Sequence, residues 1–249
     1  MPYKYEIINC QDPYNNSNIK RTYKVIKFTF DNNNPHAPFY YNKAWELAQK
    51  VNPHKANDSI NKRDKDRLIL DTLGGVLSEY GWYFYIKGIF GDIVSFTPFQ
   101  SASNQIDLLL NNGKKIEVRS SFPRNGIKFA LCNERYHFKN ICKYDNLYKP
   151  NEVDKDFFAC VLFETPKADM LESKNIIFYL IGGSTREMME DENISFKSDL
   201  VAEDDLTQEK TTYKVIKLSN ALDIEGFEKY MINMGYNKIK SNQKSLKTI

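Results

Sequence analysis

One long segment of the chain carries apolar residues at the spacing of a helix face. This spacing is shared by Ile69, Leu73, Val76, Leu77 and Tyr80. We expect the helix to begin near Asp58 or Ser59 and to end at Gly81, because glycine commonly caps helix C-termini. A shorter helix is predicted over about residues 38–51, and a last one over residues 224–234.

Short apolar or alternating runs predict the strands. They occupy residues 23–30, 82–86, 157–163, 175–181 and 213–218. We expect Gly182 and Gly183 to end the fourth run and the acidic residues 187–205 to form loop and short turns. The mixed segment 134–144 is predicted to be helical. The opening stretch to about residue 35 is interpreted as an N-terminal addition.

Residues 105–121 predict a β-hairpin around Asn111-Asn112-Gly113, and the length of the loop decides which side chains meet. With a two-residue turn, Asp107 would lie opposite Val118, and each face would mix carboxylates with aliphatic side chains. With a three-residue loop, Leu110 pairs with Lys114, and Asp107 falls directly opposite Glu117.

The three-residue loop separates the hairpin into one apolar and one polar face. The apolar face then carries Ile106, Leu108, Leu110, Ile116 and Val118, and the polar face carries Gln105, Asp107, Leu109, Lys115, Glu117 and Arg119. Because only this register gives one wholly apolar face and places both carboxylates on the other, we predict the three-residue loop. Two carboxylates held side by side repel each other, and their hard oxygens favour Mg²⁺. The alternative is a solvated hairpin face with weak surface ion pairs.

Composition narrows the class of protein without selecting a function. The chain has 249 residues, of which 41% are hydrophobic and 27% charged, with a formal net charge of +3. These values exclude collagen, a coiled coil and wholesale disorder, and a charge of +3 leaves the partner undecided. No apolar run approaches the roughly 18 residues of a membrane span, and residues 1–10 do not resemble a signal peptide, so we expect a cytoplasmic protein.

The cysteines and a group of five basic residues after the hairpin give only weak indications of function. The four cysteines form no Cys-x-x-Cys pair, and Cys132, His137 and Cys142, even with Cys160, are spaced too widely for a usual zinc site. The basic residues after the hairpin could follow DNA phosphates, although a solvated helix face explains them equally well. They are Arg124, Lys128, Arg135, Lys139 and Lys143.

The aspartate at 107, followed after about ten residues by Ile-Glu-Val-Arg-Ser-Ser, resembles the PD-(D/E)XK nuclease superfamily, which includes many restriction endonucleases. The resemblance covers residues 58–165 and implies a restriction endonuclease-like α/β core, in which helix, three strands, helix and strand form a mixed sheet flanked by helices. N- and C-terminal elaborations would complete a single domain over residues 1–235, followed by a basic, flexible tail over residues 236–249.

The resemblance also implies roles for individual residues. Asp107 and Glu117 would be catalytic carboxylates and Mg²⁺ ligands, with the backbone carbonyl of Val118 as a further ligand. Glu79, on the preceding helix, would complete the metal site, and Asp92 is a competing acid. Arg119 departs from the family pattern, which usually has lysine there. Since arginine does not readily lose its proton, the metal must activate the attacking water, and Arg119 would orient it or neutralise the phosphate.

The implied function is a Mg²⁺-dependent DNA endonuclease, most specifically a type II restriction endonuclease. Such an enzyme acts on double-stranded DNA, commonly as a homodimer on a two-fold symmetric site, alongside a separate DNA methyltransferase. A structure-selective repair nuclease is the near alternative. A protein that binds nucleic acid without cutting it, on a nuclease-like scaffold, is the alternative from another class, and Arg119 is its signal in the sequence.

Overall fold

The computed structural model describes residues 3–11, 22–54, 62–99, 104–132, 153–201 and 211–239. Within these residues the helices are α1 (Ala37–Ala48), α2 (Lys65–Phe90), α3 (Ile127–Cys132), α4 (Arg186–Glu190) and α5 (Ile224–Asn233). The strands are β1 (Tyr3–Gln11), β2 (Thr22–Asp31), β3 (Val94–Phe96), β4 (Leu108–Leu110), β5 (Lys115–Ser121), β6 (Phe157–Phe163), β7 (Asn175–Thr185), β8 (Ser195–Leu200) and β9 (Thr211–Ile216).

Seven strands form one mixed sheet in the order β1-β2-β7-β6-β5-β4-β3. β5 and β6 are parallel, whereas the other neighbouring pairs are antiparallel. β8 and β9 form a separate two-stranded sheet. The predicted α/β class with a central mixed sheet is therefore confirmed. β2 pairs with both β1 and β7, so the N-terminal segment extends the same sheet.

Two hydrophobic clusters lie on the two faces of the sheet, because successive strand residues point to opposite sides. The larger cluster joins α1, α2 and α5 to Ile116 of β5 and to Phe157 and Val161 of β6. The smaller cluster joins α3 and α4 to the intervening residues of β6, which are Phe158, Cys160 and Leu162. β5 and β6 thus lie in the middle of a layered structure, with apolar side chains packed on both sides of β6.

Helix α2 is longer than predicted, and the expected strand at residues 82–86 is wrong. The helix begins after Asp64, whose side chain accepts a hydrogen bond from the N–H of Arg67, and continues to Phe90 with its C-cap at Gly91. Gly81 lies inside the helix, where an added Cβ would sit 2.8 Å from Cε2 of Phe178 on β7. Its small size therefore permits close packing of helix on sheet. The expected start near residues 58 and 59 falls outside the described residues.

Two other predictions around β7 and the acidic segment need correction. β7 continues through Gly182 and Gly183 to Thr185, because these glycines pair with Cys160 and Ala159, just beyond a register shift between Cys160 and Val161 of β6. The acidic segment contains α4 and β8 in place of the expected loop and short turns, although residues 202–210 lie outside the described part. β8 is not predicted because its sequence, Ser-Phe-Lys-Ser-Asp-Leu, lacks the apolar pattern of a strand and buries only Ser195.

Several predicted elements are found close to their expected bounds, namely α1, β6, β9 and α5. After α5, the first residues of the predicted tail contact the rest of the chain: Tyr236 donates a hydrogen bond to Oδ1 of Asn111 at 2.8 Å, and the N–H of Ile239 donates to the carbonyl of Ile89 at 2.8 Å. Residues 240–249 and the segment 134–144 lie outside the described residues.

Candidate active site

The hairpin formed by β4 and β5 has the predicted three-residue loop. Leu108 pairs with Ile116 and Leu109 with Lys115, and the N–H of Leu110 donates to the carbonyl of Lys114 at 2.9 Å. Gly113 has φ +85°, the left-handed conformation that a loop of this length requires at that position. One position beyond the paired residues, the same register sets Asp107 opposite Glu117.

The loop register brings two buried carboxylates together at the end of β4. Asp107 is 8% exposed and Glu117 6% exposed. Oδ2 of Asp107 accepts a hydrogen bond from the backbone N–H of Val118 at 2.7 Å, which ties Asp107 to the strand that carries Glu117. Leu108, Leu110 and Ile116 lie in the larger hydrophobic cluster, as the predicted apolar face requires. A solvated hairpin face is therefore excluded for these two acids.

Glu117 lies between two cations. Nη2 of Arg119 is 2.9 Å from Oε1, and Nζ of Lys155 is 3.3 Å from Oε2. The two cations differ in access to solvent, since the side chain of Lys155 is 3% exposed and that of Arg119 is 30% exposed. Positive charge on both oxygens offsets the cost of burying this carboxylate.

Lys155 is the residue of this group that sequence analysis does not identify. It stands between Asp154 and Asp156 in a charged stretch, which is typical of a solvated loop. The only available signal is that this stretch immediately precedes the buried strand β6. Because β6 is parallel to β5, with Ile116 paired to Phe157, its start lies beside the residues that precede Glu117. The sequence does not reveal this pairing of distant segments.

Glu79 on α2 interacts electrostatically with the two hairpin acids. Burial raises the pKa of Glu79 well above its ordinary value, and the charges of Asp107 and Glu117 raise it further, while Lys43 acts in the opposite direction. The predicted third acid is thus near enough to influence the pair. Within the described ranges, however, no three His, Cys, Asp or Glu side chains are arranged closely enough to hold a metal ion.

The competing acid Asp92 does not belong to this group. Its side chain is 81% exposed and pairs with Nζ of Lys87 at 2.5 Å, beside the C-terminus of α2. Such a pair between exposed side chains contributes little to stability and forms no enclosed site.

The surroundings of Asp107 disfavour the negatively charged form of its carboxyl group. Burial, together with repulsion from Glu117, raises the pKa of Asp107 to about 7, although the Val118 N–H and the charges of Arg119 and Lys155 act to lower it. Because this value lies near neutrality, the acid is protonated in part of the population unless a further cation binds. Two buried carboxylates that repel each other offer the oxygen donors that suit Mg²⁺. Val118 uses its N–H on Asp107, and its carbonyl remains a predicted ligand.

The other sequence signals are only partly covered by the described residues. Cys160 is a buried thiol in β6, with Sγ 3.9 Å from the carbonyl oxygen of Phe158, while His137 and Cys142 lie outside the described ranges. Arg124 is exposed, and the side chains of the other four basic residues after the hairpin are not among those described.

Comparison of the chain with protein-family models, curated proteins and solved structures finds no match. None of the helices within the described ranges is both long enough and apolar enough to cross a membrane.

Proposed function

We propose that the protein is a Mg²⁺-dependent DNA endonuclease. The observation that carries the proposal is a pair of buried acids that repel each other, Asp107 and Glu117, with Arg119 and Lys155 on the second acid. Their setting supports the same proposal, because the described elements α2, β3, β4, β5, α3 and β6 occur in the order helix, three strands, helix and strand, with residues 133–152 between the last two outside the described part. This is the order that the resemblance to the PD-(D/E)XK superfamily implies, with β3 in place of the strand expected at residues 82–86.

In the proposed mechanism, Asp107 and Glu117 would hold Mg²⁺ through their carboxylate oxygens, with the carbonyl of Val118 as an additional ligand. Glu79 would become a ligand only if its side chain closed on the ion, because the three acids are not arranged closely enough in the described residues. Mg²⁺, when bound, polarises the scissile phosphate and lowers the pKa of water. Arg119 lies on the more exposed side of Glu117, where its guanidinium can contact a non-bridging phosphate oxygen and stabilise the charge that develops during hydrolysis. Arginine stays charged at neutral pH, so this contribution does not depend on a proton transfer from residue 119.

The finer assignment within this proposal is a type II restriction endonuclease that cuts double-stranded DNA as a homodimer in the cytoplasm. It rests on the resemblance and on the symmetry of such DNA sites, and it implies a separate methyltransferase that protects host DNA. A structure-selective repair nuclease would use the same side chains on a different DNA shape.

The alternative is a nucleic-acid-binding protein without catalysis. The observation that favours it is the ion pair between Arg119 and Glu117, because a carboxylate already neutralised by two cations has less need of a metal. Plasmid DNA incubated with the protein and Mg²⁺, with and without EDTA, separates the candidates. Discrete EDTA-sensitive fragments support a restriction endonuclease, a smear supports a nonspecific nuclease, and intact but retarded DNA supports the binding protein.

Substitution of the two acids tests the site itself. We expect Asp107→Ala and Glu117→Ala each to abolish cleavage while DNA binding, measured with Ca²⁺ or without metal, is retained or strengthened, because removing a carboxylate reduces repulsion of phosphates. Asp92→Asn is the matched control, since this exposed acid lies outside the group and should leave cleavage unchanged. Full activity in either alanine variant would remove the assignment of the site.

A further inference from the structure

Lys155 is unusual because it is almost completely buried and lies against an acid of the candidate site. Lysine is rarely buried to this extent without a partner, and here the partner is Oε2 of Glu117 at 3.3 Å. Buried ion pairs are weak contributors to stability, because apolar side chains of similar volume often replace them without loss. The pair therefore calls for an explanation other than stability alone.

The backbone around Lys155 is held from two sides. The N–H of Asp156 donates to the carbonyl of Lys115 at 2.8 Å, and Oδ2 of Asp156 accepts from the N–H of Lys115 at 2.9 Å. The carbonyl of Lys155 accepts a hydrogen bond from Nε of Arg186, at the start of α4, at 2.7 Å. These contacts fix the start of β6 against the strand that carries Glu117, so the ammonium group approaches Glu117 from a rigid support.

The two cations on Glu117 consequently differ in what they can reach. The side chain of Arg119 is 30% exposed and is accessible to a ligand, whereas that of Lys155, at 3% exposed, is enclosed by protein. A group enclosed in this way influences a reaction through the residue that it holds, without contacting DNA.

We propose that Lys155 is a positioning residue for phosphodiester hydrolysis. It holds Oε2 of Glu117 from the buried side and thereby orients Oε1 towards the solvent-accessible side, where Arg119 lies. This inference rests on the proposed nuclease function. On this inference, the buried cation of the site is Lys155, which lies at the start of β6 and outside the hairpin. Arg119 then makes the contact with the phosphate.

The test is Lys155→Met, which keeps an unbranched side chain only one atom shorter and removes its charge. We expect kcat to fall by about tenfold or more, because a displacement of about 1 Å in a catalytic group can cost on the order of a hundredfold. The dissociation constant of Mn²⁺, measured by calorimetry without DNA, should rise by about tenfold or more, because Lys155 orients a proposed metal ligand. The KM for DNA should change by less than about threefold, since Lys155 does not contact DNA. Lys114→Met is the matched control, because Lys114 forms an exposed ion pair with the adjacent Asp156.

The possible results separate this inference from the proposed function. If the wild-type protein cuts DNA and Lys155→Met cuts equally fast, the positioning role is refuted and the nuclease assignment stands. A rise in the KM for DNA in parallel with the loss of activity would show that Lys155 only maintains the structure of the site. If Lys155→Met does not fold, Lys155→Gln is measured in its place. Its kcat should lie between those of wild type and an uncharged apolar variant, because glutamine keeps a hydrogen-bond donor. Failure of both variants to fold would overturn the inference. A wild-type protein that cuts no DNA refutes the nuclease function and this inference with it.

Discussion

At the scale of single residues, the site depends on how positive and negative charges are shared among four side chains. Glu117 has a cation on each oxygen, whereas Asp107 accepts a backbone hydrogen bond and has a pKa of about 7. The pair is therefore asymmetric, because two cations contact Glu117 whereas the pKa of Asp107 lies near neutrality.

Substitution of Arg119 separates a catalytic contact from an accidental match to the motif. Arg119→Lys keeps the cation and restores the residue usual in the superfamily, so cleavage should remain within about tenfold of wild type. Arg119→Ala should lose on the order of a hundredfold or more, which is comparable to removal of one oxyanion donor. Single-turnover cleavage measures both effects.

Arg63→Ala is the control for Arg119, because Arg63 has similar exposure and pairs at 2.9 Å with Asp71, outside the site. Wild-type cleavage by Arg119→Ala would exclude a catalytic role for residue 119.

The raised pKa of Asp107 predicts how stability depends on pH in the metal-free protein. Its folded-state pKa of about 7 lies above the ordinary value of 3.8, so the folded state binds more protons than the unfolded state between these values. The contribution of Asp107 to the free energy of unfolding is complete below about pH 3.8 and is lost as pH rises through about 7, by at most about 1.4 kcal/mol per pH unit.

Asp107→Asn should remove this contribution and be more stable than wild type at pH 8. Denaturant unfolding at a series of pH values, in the presence of EDTA, measures the effect. Parallel pH profiles for the variant and wild type would contradict it.

At the scale of secondary-structure elements, α2 shows how tertiary contacts override a local signal. Gly81 followed by an aromatic run predicts a helix end and a strand, yet the helix continues and buries Trp82, Tyr85 and Ile86. The aromatic residues satisfy helical packing as well as strand alternation, and the long-range contact with β7 decides between them.

Two glycines of α2 provide a matched test of this packing. At Gly81 an added Cβ would lie 2.8 Å from Cε2 of the buried Phe178, whereas at Gly75 nothing lies within 4 Å. Gly75→Ala should raise the free energy of unfolding by about 0.5–1 kcal/mol through higher helix propensity. Gly81→Ala should lower it by about 1–3 kcal/mol, because overpacking of the core exceeds the gain in propensity. Equal stabilisation by both changes would contradict the close approach of α2 to β7.

At the scale of the whole molecule, the start and the end of the described chain are both part of one fold. β1 and β2 extend the sheet that carries the site, and α5 packs Phe227 and Met231 into the larger hydrophobic cluster. Residues 236–239 then return to α2 and to the hairpin loop through Ile89 and Asn111.

Truncation after Gly235 should consequently lower stability without changing the DNA sequence that is recognised. We expect a loss of about 1–3 kcal/mol, since the truncation removes hydrogen bonds to Ile89 and Asn111 and the partly buried Tyr236. Thermal melting measures the loss, with Lys238→Ala as a control that removes only an exposed ion pair. A changed cleavage pattern on a reference plasmid would contradict the prediction that the tail takes no part in recognition of the DNA sequence.

The sequence by itself determines those features that depend on neighbouring residues. Loop length and strand alternation are local, so the hairpin register, its apolar face and the opposition of Asp107 and Glu117 can be predicted before any coordinates are known. The continuous apolar run of β6 and the amphipathic pattern of α5 are predictable for the same reason.

Only the tertiary structure decides which distant segments meet. The continuation of α2 past Gly81 depends on Phe178, nearly a hundred positions away in sequence, and the continuation of β7 through its glycines depends on pairing with β6. Lys155 reaches Glu117 because β6 lies parallel to β5, a pairing made through backbone hydrogen bonds that carry no signature in the side chains. The pairing of Asp107 with Glu117 was thus predictable from local rules, whereas the buried cation beside Glu117 follows from the order of strands in the sheet.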